Sequence, residues 1–256
     1  VPLGLTILLL IHRYLPVDGI RRQVLQRRFD VMGTMLLAAT LAAYALAMTV
    51  GRGHFGLRNM GLLVAAVLGM CLFIVAERRA GSPLIRLGMF RQASLRANLT
   101  MSLLVSTVMM ATLVVGPFYL SRTLGLGAGW LGLVLSVGPL CAAMVGAPAG
   151  RLVDDLGTPR MIRMGLSGIA IGCVLLSVIP ASEGSMGYIF PIVVLTIGYA
   201  LFQTANNTAV MMSMSPDERG VISGLLNLSR NLGLITGASV MGALFTYASG
   251  TSDITT

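Results

Sequence analysis

The sequence predicts an all-α fold, a polytopic bundle of transmembrane helices, and two observations support this class. Six long runs contain no Asp, Glu, Lys or Arg: 31–50, 59–76, 97–121, 123–150, 164–182 and 184–216. Most of them reach the ~18–20 apolar residues that a helix needs to cross a bilayer. Charged residues make up 11% of the chain, against roughly 25% in globular domains. A soluble core has no need of so many helices that are apolar on every face.

The apolar runs predict one partial helix followed by seven full spans. The first run, Val1–Ile11, is too short to cross a bilayer, so we expect the end of a helix there and a chain that is a fragment. Loops separate the spans at about 13–29, 51–58, 77–96, 122–128, 151–163, 181–187 and 212–220. A last span is expected near 221–247, followed by a polar tail at 249–256.

The eighteen basic residues are all arginines, and their distribution predicts the orientation of the bundle. When the loops are assigned alternately to the two sides of the membrane, the loops on one side hold fourteen arginines and those on the other side hold three. Arg230 lies inside the last span. The positive-inside rule places the arginine-rich set in the cytoplasm, and we expect a multi-pass protein of a bacterial-type plasma membrane. The net charge of +9 does not indicate nucleic-acid binding, because the arginines lie at helix ends and are not gathered on one surface.

One cytoplasmic loop carries a compact motif, Gly150-Arg-Leu-Val-Asp-Asp-Leu-Gly-Thr-Pro-Arg160. Gly157 supplies the backbone freedom to leave one helix, and the Thr158-Pro159 pair predicts the N-cap and first turn of the next. Asp154 is placed to accept hydrogen bonds from a helix N-terminus, and Arg160 to pair with it or with lipid phosphates. On local grounds an ordinary tight turn explains the motif equally well.

Arg230 is the one charge inside a predicted span, about ten residues past the start of that helix. At helical spacing it shares a face with Ser223 and Asn227. A cation in lipid is costly, so Arg230 should face protein or a water-filled cavity. Two interpretations stay open: a cation that faces a substrate or gate, and a structural arginine that bonds to carbonyls or reaches toward the cytoplasmic end. The helix start, Ser215-Pro-Asp-Glu218, predicts a capping box.

The span near 188–211 carries a stripe of polar side chains on an otherwise apolar helix. The stripe consists of Thr196, Tyr199, Gln203, Asn206 and Asn207. Polar amides need partners in hydrocarbon, so these residues should face protein or water. Lining a ligand cavity and joining helices by polar contacts are both consistent with this pattern.

Four stretches together resemble one transporter family. The pattern G-x-L-x-D-x-x-G-x-x-R at 150–160 is similar to the cytoplasmic loop signature of the major facilitator superfamily. Three others narrow the resemblance to the fourteen-helix drug:proton antiporter branch, which includes multidrug efflux pumps: Arg-Phe-Asp-Val-Met-Gly at 28–33, Ser-Pro-Leu-Ile at 82–85 with Met-Phe-Arg at 89–91, and Ser-Gly-Leu-Leu-Asn-Leu-Ser-Arg-Asn-Leu-Gly at 223–233. Asp155 stands where that family usually has a basic residue.

The resemblance implies a division of the chain and a set of site residues. Residues 1–28 would be the end of the sixth helix and a cytoplasmic loop, 29–76 an extra helix pair between the halves, 77–97 a cytoplasmic loop, and 98–256 the C-terminal transporter half without its last helix. Helices of this half would line a central cavity. The candidate cavity or substrate residues are then Asn98, Ser102, Ser106, Met109, Tyr119, Tyr199, Gln203, Asn206, Asn207, Asn227 and Arg230.

The function that the resemblance implies is secondary active transport. It would be the export of small amphipathic compounds by proton antiport with alternating access, without a cofactor or metal. The partners would be a small-molecule substrate, protons and the lipid bilayer. The predicted spans contain no carboxylate, so proton coupling would require the missing N-terminal half or a second subunit.

Two other classes stay open. One is a transporter remnant or a non-transporting membrane interaction protein, because the chain is expected to begin with a partial helix and to end before the last helix of the transporter half. A membrane-embedded enzyme is disfavoured, because the chain has no H-E-x-x-H or G-x-S-x-G motif and only two histidines, His12 and His54.

Overall fold

The structure, a computed structural model, describes residues 2–14, 30–50, 56–81 and 83–252. Every regular element in these ranges is helical, which confirms the predicted all-α class. The α-helices within them are α1 Pro2–Tyr14, α2 Val31–Thr49, α3 Leu57–Arg79, α4 Ala93–Phe118, α5 Ala128–Leu156, α6 Thr158–Val178, α7 Gly184–Met212 and α8 Arg219–Ser252. Six helices of the described ranges, α2 to α7, are long and apolar enough to cross a membrane, and α8, where the last of seven full spans was predicted near 221–247, is not among them. Parts of the predicted loops and tail lie outside the described residues: 15–29, 51–55, 82 and 253–256.

Several helices continue past the apolar runs that predicted them. α5 ends at Leu156, beyond the predicted boundary at 150, and includes Arg151 and Asp154. α4 begins at Ala93 and includes Arg96 in its first turn. Backbone hydrogen bonds do not require an apolar side chain, so charged residues extend a helix into the interface without ending it.

A single residue, Gly157, makes the turn between α5 and α6. Its φ of +79° lies in the left-handed region that favours glycine, and its N–H donates to the Val153 carbonyl at 3.0 Å. Gly157 is both the C-cap of α5 and the N-cap of α6. The prediction that Thr158 is the N-cap was wrong: it is the first residue of α6, because a one-residue turn leaves no separate position for a cap.

The capping box predicted at the start of α8 was also wrong. A 3₁₀ turn at Pro216–Glu218 precedes the helix, and the Ser215 hydroxyl donates to the Glu218 carboxylate at 2.9 Å. The same carboxylate lies 3.6 Å from the Arg86 guanidinium. Glu218 therefore joins the segment before α4 to the start of α8, while its N–H donates to the Ser215 carbonyl at 3.0 Å and not to the Ser215 hydroxyl.

Close helix pairs hold the bundle from α4 to α8. α4 packs along α8, α6 packs along α7, and α5 also lies against α7. At the α6–α7 contact, a methyl group on Gly198 would lie 2.7 Å from the backbone nitrogen of Ile169. At the α4–α8 contact, Gly233 lies against the carbonyl oxygen of Leu103. Small residues at these points let the backbones approach as membrane helices require.

The helices α2 and α3 form a hairpin that attaches to α8. The hydroxyls of Tyr44 and Thr236 are 2.6 Å apart, and the Ser239 hydroxyl donates to the Met48 carbonyl at 2.7 Å. Much of the outer surface of the hairpin is apolar and exposed, as a lipid-facing surface should be, and includes Met35, Leu46, Met60, Val64, Leu68 and Leu72.

Candidate functional site

The polar stripe of α7 is divided between two levels of burial. Thr196 and Asn206 are buried, and Asn206 is only 1% exposed. Tyr199, Gln203 and Asn207 are half-buried. These three follow one another at a spacing of four residues, which puts them on one side of the helix. They form one accessible polar row on α7.

Arg230 of α8 lies beside this row. Its guanidinium interacts with the Tyr199 hydroxyl, and its side chain is half-buried. At 1.5 Å per residue, Arg230 lies ~17 Å from the first residue of α8, and Tyr199 lies ~20 Å from the last residue of α7. The pair therefore lies about three turns or more inside both helices.

Asn227 precedes Arg230 by one helical turn and is exposed. Its amide N–H donates to the Ser223 carbonyl of the same helix at 3.1 Å, which leaves the amide oxygen for another partner. We use the name α7–α8 polar face for the surface made by Tyr199, Gln203, Asn207, Asn227 and Arg230.

The α7–α8 polar face combines one cation, one phenol and three amides. The guanidinium offers up to five N–H donors in a planar fork, and the amides both donate and accept. The aromatic ring of Tyr199 adds an apolar surface with a polar tip. This set of groups can orient a molecule that has a polar and an apolar part. Among the described residues, no group of three or more His, Cys, Asp or Glu side chains could hold a metal ion.

Three of the candidate polar residues lie on α4. Asn98, Ser102 and Ser106 are all buried. A methyl group on Gly233 of α8 would lie 2.8 Å from the Cβ of Ser106, so this part of the α4 face packs against α8. Met109 is half-buried beside the apolar cluster of Val105, Ile169 and Phe202.

Tyr119 lies at the far end of α4, in a π-helical turn that follows Pro117. Its ring stacks on that of Tyr188 with the centroids 6.1 Å apart. Both tyrosines line a cavity of about 380 Å³ between α4, α6 and α7. Because Tyr188 and Tyr199 are ~17 Å apart along α7, the structure separates Tyr119 from the α7–α8 polar face.

Two buried polar side chains of the bundle have no hydrogen-bond partner among the described residues. These are Asn206, with both of its amide atoms, and Ser106, with its hydroxyl oxygen. An unpaired buried polar group costs about 1–3 kcal/mol. Asn206 and Ser106 therefore lower the stability of this arrangement of helices, and a partner brought by a movement or a bound molecule would recover that energy.

The loop-motif residues lie at the arginine-rich end of the bundle. Asp154 and Arg160 are exposed and make no hydrogen bond or ion pair within the described ranges. The predicted contact of Asp154 with a helix N-terminus is therefore absent there, because Asp154 is still part of α5, on its exposed surface. A methyl group on Gly150 would meet open space, so no close approach explains that glycine here.

Sequence reasoning missed the environment of Glu77, which it assigned only to a helix end. Glu77 is 3% exposed in the last turn of α3. One of its carboxylate oxygens accepts a hydrogen bond from the Ile85 N–H, and the other has no partner in the described part of the chain. An acidic residue in the last turn opposes the helix dipole. That mismatch is the local signal that could have indicated a specific partner for Glu77.

Comparison with known proteins identifies relatives over nearly the whole chain. Residues 22–238 match the sequence model described as Major Facilitator Superfamily. The uncharacterized transporter YebQ of Escherichia coli (strain K12) is 30% identical over 249 residues, which are 95% of this chain and 53% of that protein.

Two further relatives have names that state a compound. The riboflavin transporter RibZ of Clostridioides difficile (strain 630) is 23% identical over 96% of this chain and 52% of its own length. The quinolone resistance protein NorB of Staphylococcus aureus (strain Newman) is 28% identical over 90% of this chain and 50% of its own length. The chain thus spans about half the length of the curated relatives it matches.

Proposed function

Because the chain belongs to the Major Facilitator Superfamily, we propose that it exports small amphipathic compounds across the plasma membrane in exchange for protons. The helices would alternate between two arrangements, each of which opens the binding site to one side of the membrane. The arginine-rich loops would face the cytoplasm, as the positive-inside rule requires.

The observation that carries this proposal is the contact between Arg230 and Tyr199, about three turns or more inside α8 and α7. An ionisable residue inside a membrane segment is costly and commonly marks a substrate or ion pathway. Both residues lie on the α7–α8 polar face, where amides provide further hydrogen-bonding groups. A site near the bilayer midplane is where alternating access needs it.

The composition of this face supports an amphipathic substrate class. Arg230 favours compounds that carry a hydrogen-bond acceptor or a negative charge, and Tyr199 favours an aromatic or apolar part. The names of two relatives, which state riboflavin transport and quinolone resistance, support small organic compounds as the cargo.

The proposed mechanism also requires a second set of helices. It would come from the same native polypeptide or from a second subunit, and it would cover the α7–α8 polar face to close a cavity. The relatives, which are about twice as long as this chain, support this part. The five residues of the face include no carboxylate, so the second set would supply the acid that binds the proton.

The test uses the native protein with any partner it has. An antibody against residues 77–96 purifies the polypeptide from its own membrane, and the immunoblot gives its mass for comparison with 26.9 kDa. The purified protein is placed in liposomes with an acidic lumen, and uptake of a fluorescent amphipathic dye without titratable groups is measured. We expect uptake that a protonophore abolishes. Uptake no faster than in protein-free liposomes would contradict the proposal and favour a non-transporting membrane protein.

A further inference from the structure

A second polar cavity lies at the arginine-rich end of the bundle. It has a volume of about 690 Å³ and lies between the first turns of α4 and α6 and the last turn of α7. The polar groups in its wall come from Ser94, Asn98, Thr158, Arg163 and Ser213. None of the described residues that line it is acidic. The positive-inside rule places this cavity at the cytoplasmic surface of the membrane.

Asn98 provides an unused polar group in the wall of this cavity. It is only 6% exposed, yet its one side-chain hydrogen bond in the described ranges is a 3.5 Å contact from the amide nitrogen to the Ser94 hydroxyl. The second amide N–H and the amide oxygen have no protein partner there. Because polar groups buried to this degree normally have partners, Asn98 offers hydrogen-bonding groups to a ligand in this cavity.

Arg163 gives the cavity a positive charge. It makes no ion pair within the described ranges. A guanidinium matches the geometry of phosphate oxygens and can bind two of them at once. In this cavity the positive charge has no acidic neighbour in the wall to neutralise it, so an anion is the complementary ligand.

Two helix starts strengthen the preference for an anion. The N-cap of α4, Gln92, and the N-cap of α6, Gly157, make no side-chain hydrogen bond to their helices. The first N–H groups of an uncapped helix lack partners, although Pro159 in the first turn of α6 has no N–H to offer. The positive end of the helix dipole also favours negative charge. Residues of both first turns, Ser94 and Thr158, line the cavity.

We propose that this cavity binds a phosphate group through Arg163, Asn98 and the starts of α4 and α6. The phosphate could belong to a phospholipid headgroup or to a free phosphate ion. Basic pockets between helices on the cytoplasmic side bind the headgroups of anionic lipids. The proposal does not depend on the transport activity proposed above.

Native mass spectrometry of the purified chain in detergent tests the proposal with two probes, dioleoylphosphatidylglycerol and inorganic phosphate. We expect saturable binding of at least one probe. Arg163→Gln should weaken that binding about fivefold, the effect of one basic residue near an anionic surface. The matched control is Arg160→Gln, which removes an exposed charge one turn away that does not line the cavity and should change binding less than twofold.

The two probes separate the possible sources of the phosphate. Lipid binding that millimolar phosphate leaves intact assigns the cavity to a headgroup, and phosphate binding that displaces the lipid assigns it to the free ion. Asn98→Leu should weaken binding of the same probe, provided that the unfolding temperature of this variant in detergent equals that of the wild type. Equal effects of Arg163→Gln and Arg160→Gln, or no saturable binding of either probe, would overturn the proposal.

Discussion

The guanidinium of Arg230 on α8 lies beside the hydroxyl of Tyr199 on α7. This contact joins the two helices that carry the α7–α8 polar face. A cation at this depth needs a partner or water, and Tyr199 is a partner that the spacing of residues along α8 alone does not indicate. The contact gives Arg230 a side-chain partner on a neighbouring helix.

Arg230→Gln should lower proton-driven dye uptake at least about tenfold, which is the loss of about 1.4 kcal/mol of substrate or transition-state binding. Tyr199→Phe should cause a smaller loss, and the two effects should not be additive because the side chains interact. The measurement is the initial uptake rate in liposomes. Arg79→Gln, which removes an exposed arginine at the end of α3, is the control and should leave the rate unchanged. A wild-type rate for Arg230→Gln would exclude Arg230 from the site.

Asn206→Leu should leave the unfolding temperature in detergent unchanged or higher. Neither amide atom of Asn206 has a partner among the described residues, so an apolar side chain of similar size removes a cost of about 1–3 kcal/mol. Asn59→Leu is the control: Asn59 is also buried, but it donates to the Ala47 carbonyl at 2.7 Å, so its loss should lower the unfolding temperature. Equal destabilisation by both substitutions would show that Asn206 has a structural partner.

Gly198→Ala should destabilise the α6–α7 contact by about 1–3 kcal/mol, the cost of forcing extra volume into a packed interior. The added methyl group would lie 2.7 Å from the Ile169 nitrogen, and backbone atoms on a packed helix cannot move away as a side chain can. Gly146→Ala is the matched control within α5, because a methyl group there meets open space. That variant should be neutral or gain up to ~1 kcal/mol of helix propensity. The unfolding temperatures of the two variants decide the comparison.

Glu77→Ala should lower stability by about 1–3 kcal/mol, because it leaves the buried Ile85 N–H without its acceptor. Glu77→Gln keeps an acceptor oxygen and should cost less. Asp155→Ala, an exposed carboxylate at the end of α5, should stay within about 0.5 kcal/mol of the wild type. Thermal unfolding followed in detergent provides the measurement. If Glu77→Ala unfolds at the wild-type temperature, the contact with Ile85 does not stabilise the fold.

The helices were predictable because the information that produces them is local. Length and apolarity alone identify α2 to α7 as spans, and the charged residues between the apolar runs mark the loops. The helix ends were less predictable, as Leu156 of α5 shows, because apolarity reports where the membrane begins and not where backbone hydrogen bonding ends.

The caps and the candidate site show where local reasoning stops. The cap at Thr158 and the capping box at Glu218 both follow sequence rules, but the structure has a one-residue turn at Gly157 and a 3₁₀ turn at Pro216–Glu218 in their places. Likewise, the polar residues of α4 and α7 look equivalent in sequence, yet Ser106 and Asn206 are buried while Tyr199 and Gln203 stay accessible.

By itself, the sequence determined that this chain is a membrane-spanning helical bundle of a transporter family. Apolar run length, charge segregation and short motifs are properties of neighbouring residues, and the bilayer acts on each helix separately. Only the tertiary structure decided which side of each helix faces a neighbour. That choice depends on contacts such as Gly233 against Leu103 and Arg230 beside Tyr199, which join helices far apart in the chain and follow from close packing.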